Sequence, residues 1–366
     1  MILDDIENQL KRRVVLKSEA HYVAETLWIA HTYFISELDF SPRLAIWSPE
    51  KRCGKTLNLE IVELLSKKAR RTSSMSPSVL YRMISLDETT VFLIDESDRI
   101  FSKKADKERA EAMTSIINTG FKRGSSVWRC KPNTLEPEEF STFAPVALAG
   151  IGTSSIPDTV QDRALVIEMR RKFPNETIEE FQSDEEEAIF SPLREALDSW
   201  SQEIRDQIRP CRPELPNELH SRAKDCWKPL FKIATYAGSD WLEKARKASL
   251  ELSLNEADDD DKSYSLRLLS DCREVFDCNE LGSQALVERL CDIEEAPYGH
   301  GDHRLNTASL ARNLKTYGIR PTRTNKLRLY RREDFQEAWD RYLPVRLESV
   351  TPVTPVTIED EPESLW

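Results

Sequence analysis

Short, continuously apolar segments alternate with helical patterns over the first half of the chain. The apolar segments are residues 44–47, 90–94, 145–149 and 164–169. Before and between them, the stretches 17–39, 56–69 and 108–118 repeat apolar residues at the spacing of an amphipathic helix. Because strands that are buried on both faces have unbroken apolar sequences, this alternation predicts an α/β protein built on a parallel sheet.

The sequence changes character after about residue 172, where charge-rich helical patterns continue to residue 255. The acidic run at 258–262 predicts a solvated linker, and the Thr-, Pro- and Glu-rich end predicts a disordered tail. The domains that we expect are an N-terminal helical segment (1–40), a sheet core (41–174), a helical lid (175–255), a small C-terminal domain (263–343) and a tail (344–366).

The composition limits the classes of partner that the protein is expected to bind. The net charge is −12, so contact with nucleic acid would need a local basic patch. No apolar run reaches the length of about eighteen residues that a bilayer requires, and the N-terminus lacks the pattern of a signal peptide. The seven cysteines are scattered without a CxxC pair, which argues against a zinc site or a disulfide framework. We therefore expect a cytoplasmic protein with reduced thiols and no membrane partner.

The first apolar segment runs directly into residues 48–56, SPEKRCGKT, which end like a phosphate-binding loop. In this interpretation Gly54 allows close approach of the backbone, Lys55 reaches the β- and γ-phosphates of ATP, and the Thr56 hydroxyl binds Mg²⁺. Pro49 replaces the first glycine of the usual motif, and because proline has no N–H, the start of the loop must differ from the common form. The alternative is a Gly-Lys-Thr sequence that occurs by chance at a helix start.

Two carboxylates, Asp95 and Glu96, follow the second apolar segment. Carboxylates at the end of a buried strand are costly unless they bind a metal or pair with a cation. We expect Asp95 to hold Mg²⁺ and Glu96 to orient or deprotonate the attacking water. The alternative is an ordinary strand end followed by an acidic turn.

Two further residues lie next to the later apolar segments. Thr153 follows the third segment, at the strand end where ligands of parallel sheets bind, and we expect it to contact the γ-phosphate and the attacking water, with Ser154 as the second candidate. The alternative is that the adjacent glycines merely form a tight turn. Arg163 precedes the fourth segment and is expected to project toward the nucleotide of a neighbouring subunit. The alternative for Arg163 is a surface arginine that pairs with Asp162.

The order of these motifs resembles the AAA+-type ATPases, and among them the phage and mobile-element family known as domain of unknown function 3631. The resemblance covers roughly residues 20–343. Its motifs are SPxxxCGKT (48–56), an apolar run ending in DE (91–96), NTGFKRG (118–124), a strand ending in GIG (150–152), DRALVIEMRR (162–171), and the later stretches 222–241 and 310–321. It implies that Pro49 and Cys53 belong to the nucleotide loop, that Arg163 is an arginine finger, and that Arg222 is a second sensor of the γ-phosphate.

The C-terminal domain carries a local excess of positive charge. Residues 304–341 contain ten basic and four acidic side chains, although the chain as a whole is acidic. Expected helices at 281–291, 307–316 and 333–342, with a strand or wing at 326–331, resemble a winged helix, a common way to dock on duplex phosphates. The residues that we expect to contact nucleic acid are Arg320, Arg323, Lys326 and Arg328. The alternative is a helical module that packs on the ATPase.

Three functions remain open at this point. The first is a ring-forming ATPase that uses ATP and Mg²⁺ to act on DNA as a helicase or replication-initiation motor of a phage or mobile element, beside a primase or another replication partner. The second is an ATP-driven protein remodeller or defence-type switch. The third is a binding module with a degenerate loop, which only Pro49 suggests. The intact set of Lys55, Thr56, Asp95 and Glu96 favours the first two, and we adopt the first.

Overall fold

The chain forms two compact units, Met1–Ala257 and Asp258–Trp366. The structure, a computed structural model, describes residues 1–343 except 49, 51, 103–104, 132–133, 152–155, 174–176, 180, 182, 256–263, 294–297, 299–304, 316 and 324–327. The predicted linker and tail lie outside the described residues. Within the described part of the chain, no helix is both long enough and apolar enough to span a membrane.

In the first unit, helices and strands alternate along the chain. Its described elements are α1 (Ile2–Arg13), α2 (Glu19–His31), β1 (Arg43–Ser48), α3 (Lys55–Leu65), β2 (Ala69–Thr72), α4 (Pro77–Leu86), β3 (Val91–Ile94), α5 (Ser97–Phe101), α6 (Lys107–Thr119), β4 (Ser126–Cys130), β5 (Pro137–Ser141), β6 (Val146–Ile151), α7 (Asp158–Gln161), β7 (Ala164–Glu168), α8 (Ser183–Ile208), α9 (Ser221–Tyr236) and α10 (Ser239–Asn255). The helix expected over 17–39 ends earlier, at His31, and a short 3₁₀ turn at Ile35–Glu37 follows it.

Five described strands form one parallel sheet in the order β2-β3-β6-β1-β7. The prediction of a parallel α/β core is therefore confirmed, and the four apolar segments correspond to β1, β3, β6 and β7. The pattern missed β2, because its sequence Ala-Arg-Arg-Thr is polar and its side chains are partly exposed at the edge of the sheet. Its Arg71 pairs with Glu60 and Glu63 of α3, so charge as well as backbone pairing holds this edge.

The strand order brings three strand ends together. Strand β6 pairs on one side with β1 and on the other with β3, and both contacts include Ala147. Because all three strands run in the same direction, their carboxyl ends, where Ser48, Ile94 and Ile151 lie, meet at one edge of the sheet. The amino ends, including Arg43 and Ala164, form the opposite edge.

Helices cover both faces of this sheet. On one face α1, α2, α3, α9 and α10 share a core with β1, β6 and β7, in which Trp28, Trp227 and Trp241 are almost completely buried. On the other face α4 and α6 pack against β3 and β6. The polar hairpin β4–β5, which the apolar pattern did not predict, lies beside α4 through the contact of Tyr81 with Phe140.

The second unit has its own apolar core. Its described elements are α11 (Tyr264–Val275), β8 (Glu280–Gly282), α12 (Ser283–Cys291), α13 (Thr307–Lys315), β9 (Thr322–Arg323), β10 (Arg328–Arg331) and α14 (Glu333–Tyr342). The strands form an antiparallel sheet in the order β8-β10-β9. The start of the expected helix 281–291 is instead strand β8, because Leu281 and its neighbours pair with β10.

A buried carboxyl group lies close to the helix that follows the candidate phosphate loop. Glu25 of α2 and Asn58 of α3 are both fully buried. Burial raises the pKa of Glu25 to about 8, and Asn58 opposes the rise. Glu25 is therefore protonated at neutral pH, which avoids the large cost of burying a carboxylate in an apolar core.

This protonation predicts a pH dependence of folding stability. The pKa of Glu25 is 4.5 in its ordinary state and about 8 in the folded chain, so between these values only the unfolded chain releases the proton. The free energy of unfolding of the wild type should fall as pH rises from about 5 to 8, with a slope approaching about 1.4 kcal/mol per pH unit relative to Glu25→Gln. Urea unfolding across this range measures it. Glu19→Gln, an exposed carboxylate on the same helix, is the control, and parallel profiles of wild type and Glu25→Gln would contradict the assignment.

Candidate functional site

The loop between β1 and α3 ends in a residue with left-handed backbone geometry. Gly54, which precedes the first residue of α3, has φ 84°. A Cβ there would lie 3.6 Å from Met169 Cε, an ordinary contact, so the backbone conformation rather than lack of space favours glycine. Arg52, in the same loop, has φ 65° without being glycine, and such strain is typical of functional loops.

The Lys55 ammonium group lies within this loop. Its Nζ donates to Ser48 Oγ at 2.6 Å and to the Glu50 carbonyl oxygen at 3.4 Å. Burial lowers the pKa of Lys55, and the nearby Cys53, Asp98 and Asp95 oppose the decrease. The cation is therefore held at the end of β1 by uncharged oxygens, a position from which it can exchange them for an anion.

Asp95 faces the Thr56 hydroxyl. Thr56 Oγ1 lies 3.4 Å from Asp95 Oδ2, while Asp95 Oδ1 accepts a hydrogen bond of 2.8 Å from the Glu96 amide. The Asp95 amide donates to the Thr72 carbonyl oxygen at 2.9 Å, which fixes the backbone beyond β3. A hydroxyl and a carboxylate oxygen at this separation fit Mg²⁺, which prefers oxygen ligands and keeps several waters or phosphate oxygens. Among the described residues no group of three or more His, Cys, Asp or Glu side chains could by itself cage a metal.

Glu96 has a strained backbone and a cationic partner. Its φ is 54°, and its Oε2 lies 2.7 Å from Arg99 Nη1. Arg99 is not among the residues predicted from the sequence, although its position three residues after Glu96, at the start of a helix, is typical of an ion pair. Next to it, Asp98 Oδ1 accepts a hydrogen bond of 3.3 Å from the Ile151 amide, so α5 is attached to the end of β6.

These groups line one open cavity of about 500 Å³ at the carboxyl edge of the sheet. The lining residues are Arg52, Cys53, Gly54, Lys55, Thr56, Leu57, Asp95, Glu96, Asp98, Arg99, Gly150 and Ile151. The structure thus brings together six residues that were predicted from two separate segments of the sequence: Cys53, Gly54, Lys55, Thr56, Asp95 and Glu96.

Arg163 and Arg222 lie elsewhere, at the amino edge of the sheet. Arg163 Nη1 donates to the Thr159 carbonyl oxygen at 2.6 Å and lies 3.8 Å from Asp162. Arg222 Nε lies 3.4 Å from the same Asp162, and its guanidinium stacks over Phe121. Because β1 has six residues, the two edges are about 17–20 Å apart. Within this chain, neither arginine lines the cavity.

Other selected residues fall outside the described part of the chain. They are Pro49, Thr153 and Lys326, together with Ser154, the neighbour of Thr153. Cys53, the remaining loop residue selected, is buried and lines the cavity.

The selected arginines of the second unit are exposed. Arg323 of β9 lies directly opposite Arg328 of β10 in the antiparallel pair, and Arg320 precedes them. None of these three arginines has an ion-pair partner among the described residues, whereas Arg331, on the same strand as Arg328, pairs with Glu280 at 3.1 Å. Like charges directly opposite each other on a sheet are destabilising unless an anion neutralises them.

Fold and site together define a parallel α/β protein with a cavity of mixed cations and carboxylates where the strands end. Residues 168–342 match the family described as "Protein of unknown function (DUF3631)". The chain is also 33% identical over 183 residues to the "Uncharacterized 28.9 kDa protein in xis 5'region" of Saccharopolyspora erythraea, covering 48% of this chain and 69% of that protein. The chain belongs to the same family as this protein. The region that matches DUF3631 is slightly less than half of the chain. That region begins at Glu168, so it does not include the cavity residues.

Proposed function

We propose that the first unit binds Mg²⁺ and ATP in the cavity and hydrolyses the nucleotide. The observation that carries the proposal is the meeting of Lys55 and Thr56, from the loop after β1, with Asp95 and Glu96, from the end of β3. Phosphoryl transfer requires a cation that binds phosphate, oxygen ligands that hold a metal ion, and a carboxylate that orients the attacking water. With the helical cover α8–α10, they support the AAA+-like fold that the motifs suggested.

The roles of the side chains follow from their positions. Lys55 neutralises phosphate charge at the end of β1, while Thr56 and Asp95 would hold Mg²⁺, which would supply charge stabilisation for the phosphate oxygens. Glu96 accepts a proton from the water that attacks the γ-phosphorus. The bond from that phosphorus to the bridging oxygen breaks, and ADP, inorganic phosphate and one proton are released.

We further propose that the enzyme works as a homo-oligomeric ring. Arg163 and Arg222 lie at the amino edge of the sheet, and the length of β1 separates this edge from the carboxyl edge by about 17–20 Å. A guanidinium at the amino edge contributes to hydrolysis only when a neighbouring subunit presents its cavity to that edge. Arg163, immediately before β7, remains the arginine that we assign to this role, with Arg222 beside it.

DNA is the partner that the second unit supports best. The facing Arg323 and Arg328, with Arg320 nearby, form an exposed cationic hairpin that suits phosphate contacts in a winged-helix arrangement. The name of the relative from Saccharopolyspora erythraea, which places it in a xis 5'region, agrees with a mobile-element setting. Hydrolysis would then drive a motor on DNA, as a helicase or a replication-initiation ATPase, together with a primase or a similar replication partner.

Substitutions in the cavity test the hydrolysis. Lys55→Ala should reduce ATP turnover by about a hundredfold or more, because it removes charge stabilisation from the transferring phosphoryl group. Glu96→Gln should reduce turnover while the nucleotide still binds. Phosphate release measured with and without DNA gives the rates, and Lys107→Ala, an exposed lysine on α6, serves as the control. An unchanged rate in Lys55→Ala would refute the site, and hydrolysis indifferent to DNA would favour the protein remodeller.

Substitutions in the hairpin test the contact with DNA. Arg323→Ala and Arg328→Ala should each weaken binding to duplexes of different sequence to a similar extent, and each should reduce the slope of log affinity against log salt by about one. Fluorescence anisotropy across a salt series measures both quantities. Arg331→Ala removes an arginine of the same strand that already pairs with Glu280, so it should have little effect. An equal effect of all three substitutions would argue against a phosphate-binding hairpin.

A further inference from the structure

Arg99 lies at the cavity on a firmly attached short helix. Its neighbours on α5, Ser97 and Ile100, are buried, and Asp98 is hydrogen-bonded to the end of β6 at Ile151. The Arg99 side chain itself is 72% exposed and lines the cavity. The guanidinium can therefore change its partner by side-chain rotation alone, without movement of the backbone.

The partner that Arg99 holds is the carboxylate assigned to the water. At 2.7 Å from Glu96 Oε2, the guanidinium forms a charge-assisted hydrogen bond with the carboxylate. It also occupies an oxygen that would otherwise face a water molecule. As long as this ion pair persists, Glu96 Oε2 is not free to orient the attacking water.

A γ-phosphate in the same cavity competes for Arg99. Phosphate oxygens carry more charge than one carboxylate and accept two parallel hydrogen bonds from a guanidinium. Arg99 follows Asp95 and Glu96 in the chain and lines the same cavity. Because Asp95 would hold the Mg²⁺ that neutralises the terminal phosphate, we expect the γ-phosphate to lie near these residues.

We propose that Arg99 distinguishes triphosphate from diphosphate by exchanging its ion pair with Glu96 for the γ-phosphate. The exchange frees the Glu96 carboxylate for the attacking water only when a γ-phosphate is present. Release of inorganic phosphate returns the guanidinium to Glu96. The inference rests on the proposed nucleotide site and adds a positioning residue within the same subunit, separate from the arginine that a neighbour would supply.

The test compares two nucleotides that differ in the γ-phosphate. Displacement of a fluorescent ADP analogue gives the affinities of AMP-PNP, which is not hydrolysed, and of ADP, both with Mg²⁺. Arg99→Ala should weaken AMP-PNP binding by about tenfold or more and change ADP binding by less than about twofold. Arg99→Lys should recover part of the loss. Arg70→Ala, an exposed arginine on β2 outside the cavity, should change neither affinity.

A second comparison separates this role from a merely structural one. Glu96→Gln removes the carboxylate that competes with the γ-phosphate for the Arg99 guanidinium, so it should strengthen AMP-PNP binding relative to ADP binding. This gain should be smaller when Glu96→Gln is combined with Arg99→Ala. Equal weakening of both nucleotides by Arg99→Ala, or no change in their ratio, would overturn the role of Arg99 while leaving the nucleotide site intact. Failure of the wild-type protein to bind either nucleotide would overturn the site itself and Arg99's role with it.

Discussion

The common direction of the five paired strands is the constraint on which the rest of the first unit depends. It collects the ends of β1, β3 and β6 at one edge of the sheet, where the loop of Lys55 and the carboxylates of Asp95 and Glu96 share a cavity. It also sends Arg163 to the opposite edge, beside Arg43. If the proposed hydrolysis uses an arginine from that edge, a second copy of the chain would have to supply it.

Much of the fold could be predicted because burial leaves a plain mark on the sequence. Strands that are covered on both faces must be apolar throughout, and this pattern identified β1, β3, β6 and β7 in the sequence. Strand β2 and the hairpin β4–β5 carry arginine and glutamate at partly exposed positions, so no apolar pattern identifies them. The candidate nucleotide-binding residues in the loop after β1 and at the end of β3 were also recognisable, because a phosphate-binding motif requires particular side chains at fixed spacings.

What the sequence could not give is the set of contacts between those residues and their surroundings. The left-handed backbone of Glu96, its pairing with Arg99 and the attachment of Asp98 to β6 depend on tertiary geometry. The position of Arg222 is a similar case. Its place in a helical segment was predictable, but its contacts with Asp162 and Phe121 depend on how α9 packs near the start of β7.

If Thr56 and Asp95 hold a metal ion together with a nucleotide, as we propose, nucleotide binding must depend on Mg²⁺. Titration calorimetry of AMP-PNP into the wild type and into Asp95→Asn, each with Mg²⁺ and with chelator, measures this dependence. We expect Mg²⁺ to tighten binding by at least about tenfold in the wild type and to have little effect in Asp95→Asn. Binding that is equally tight with chelator, or equal in both proteins, would contradict it.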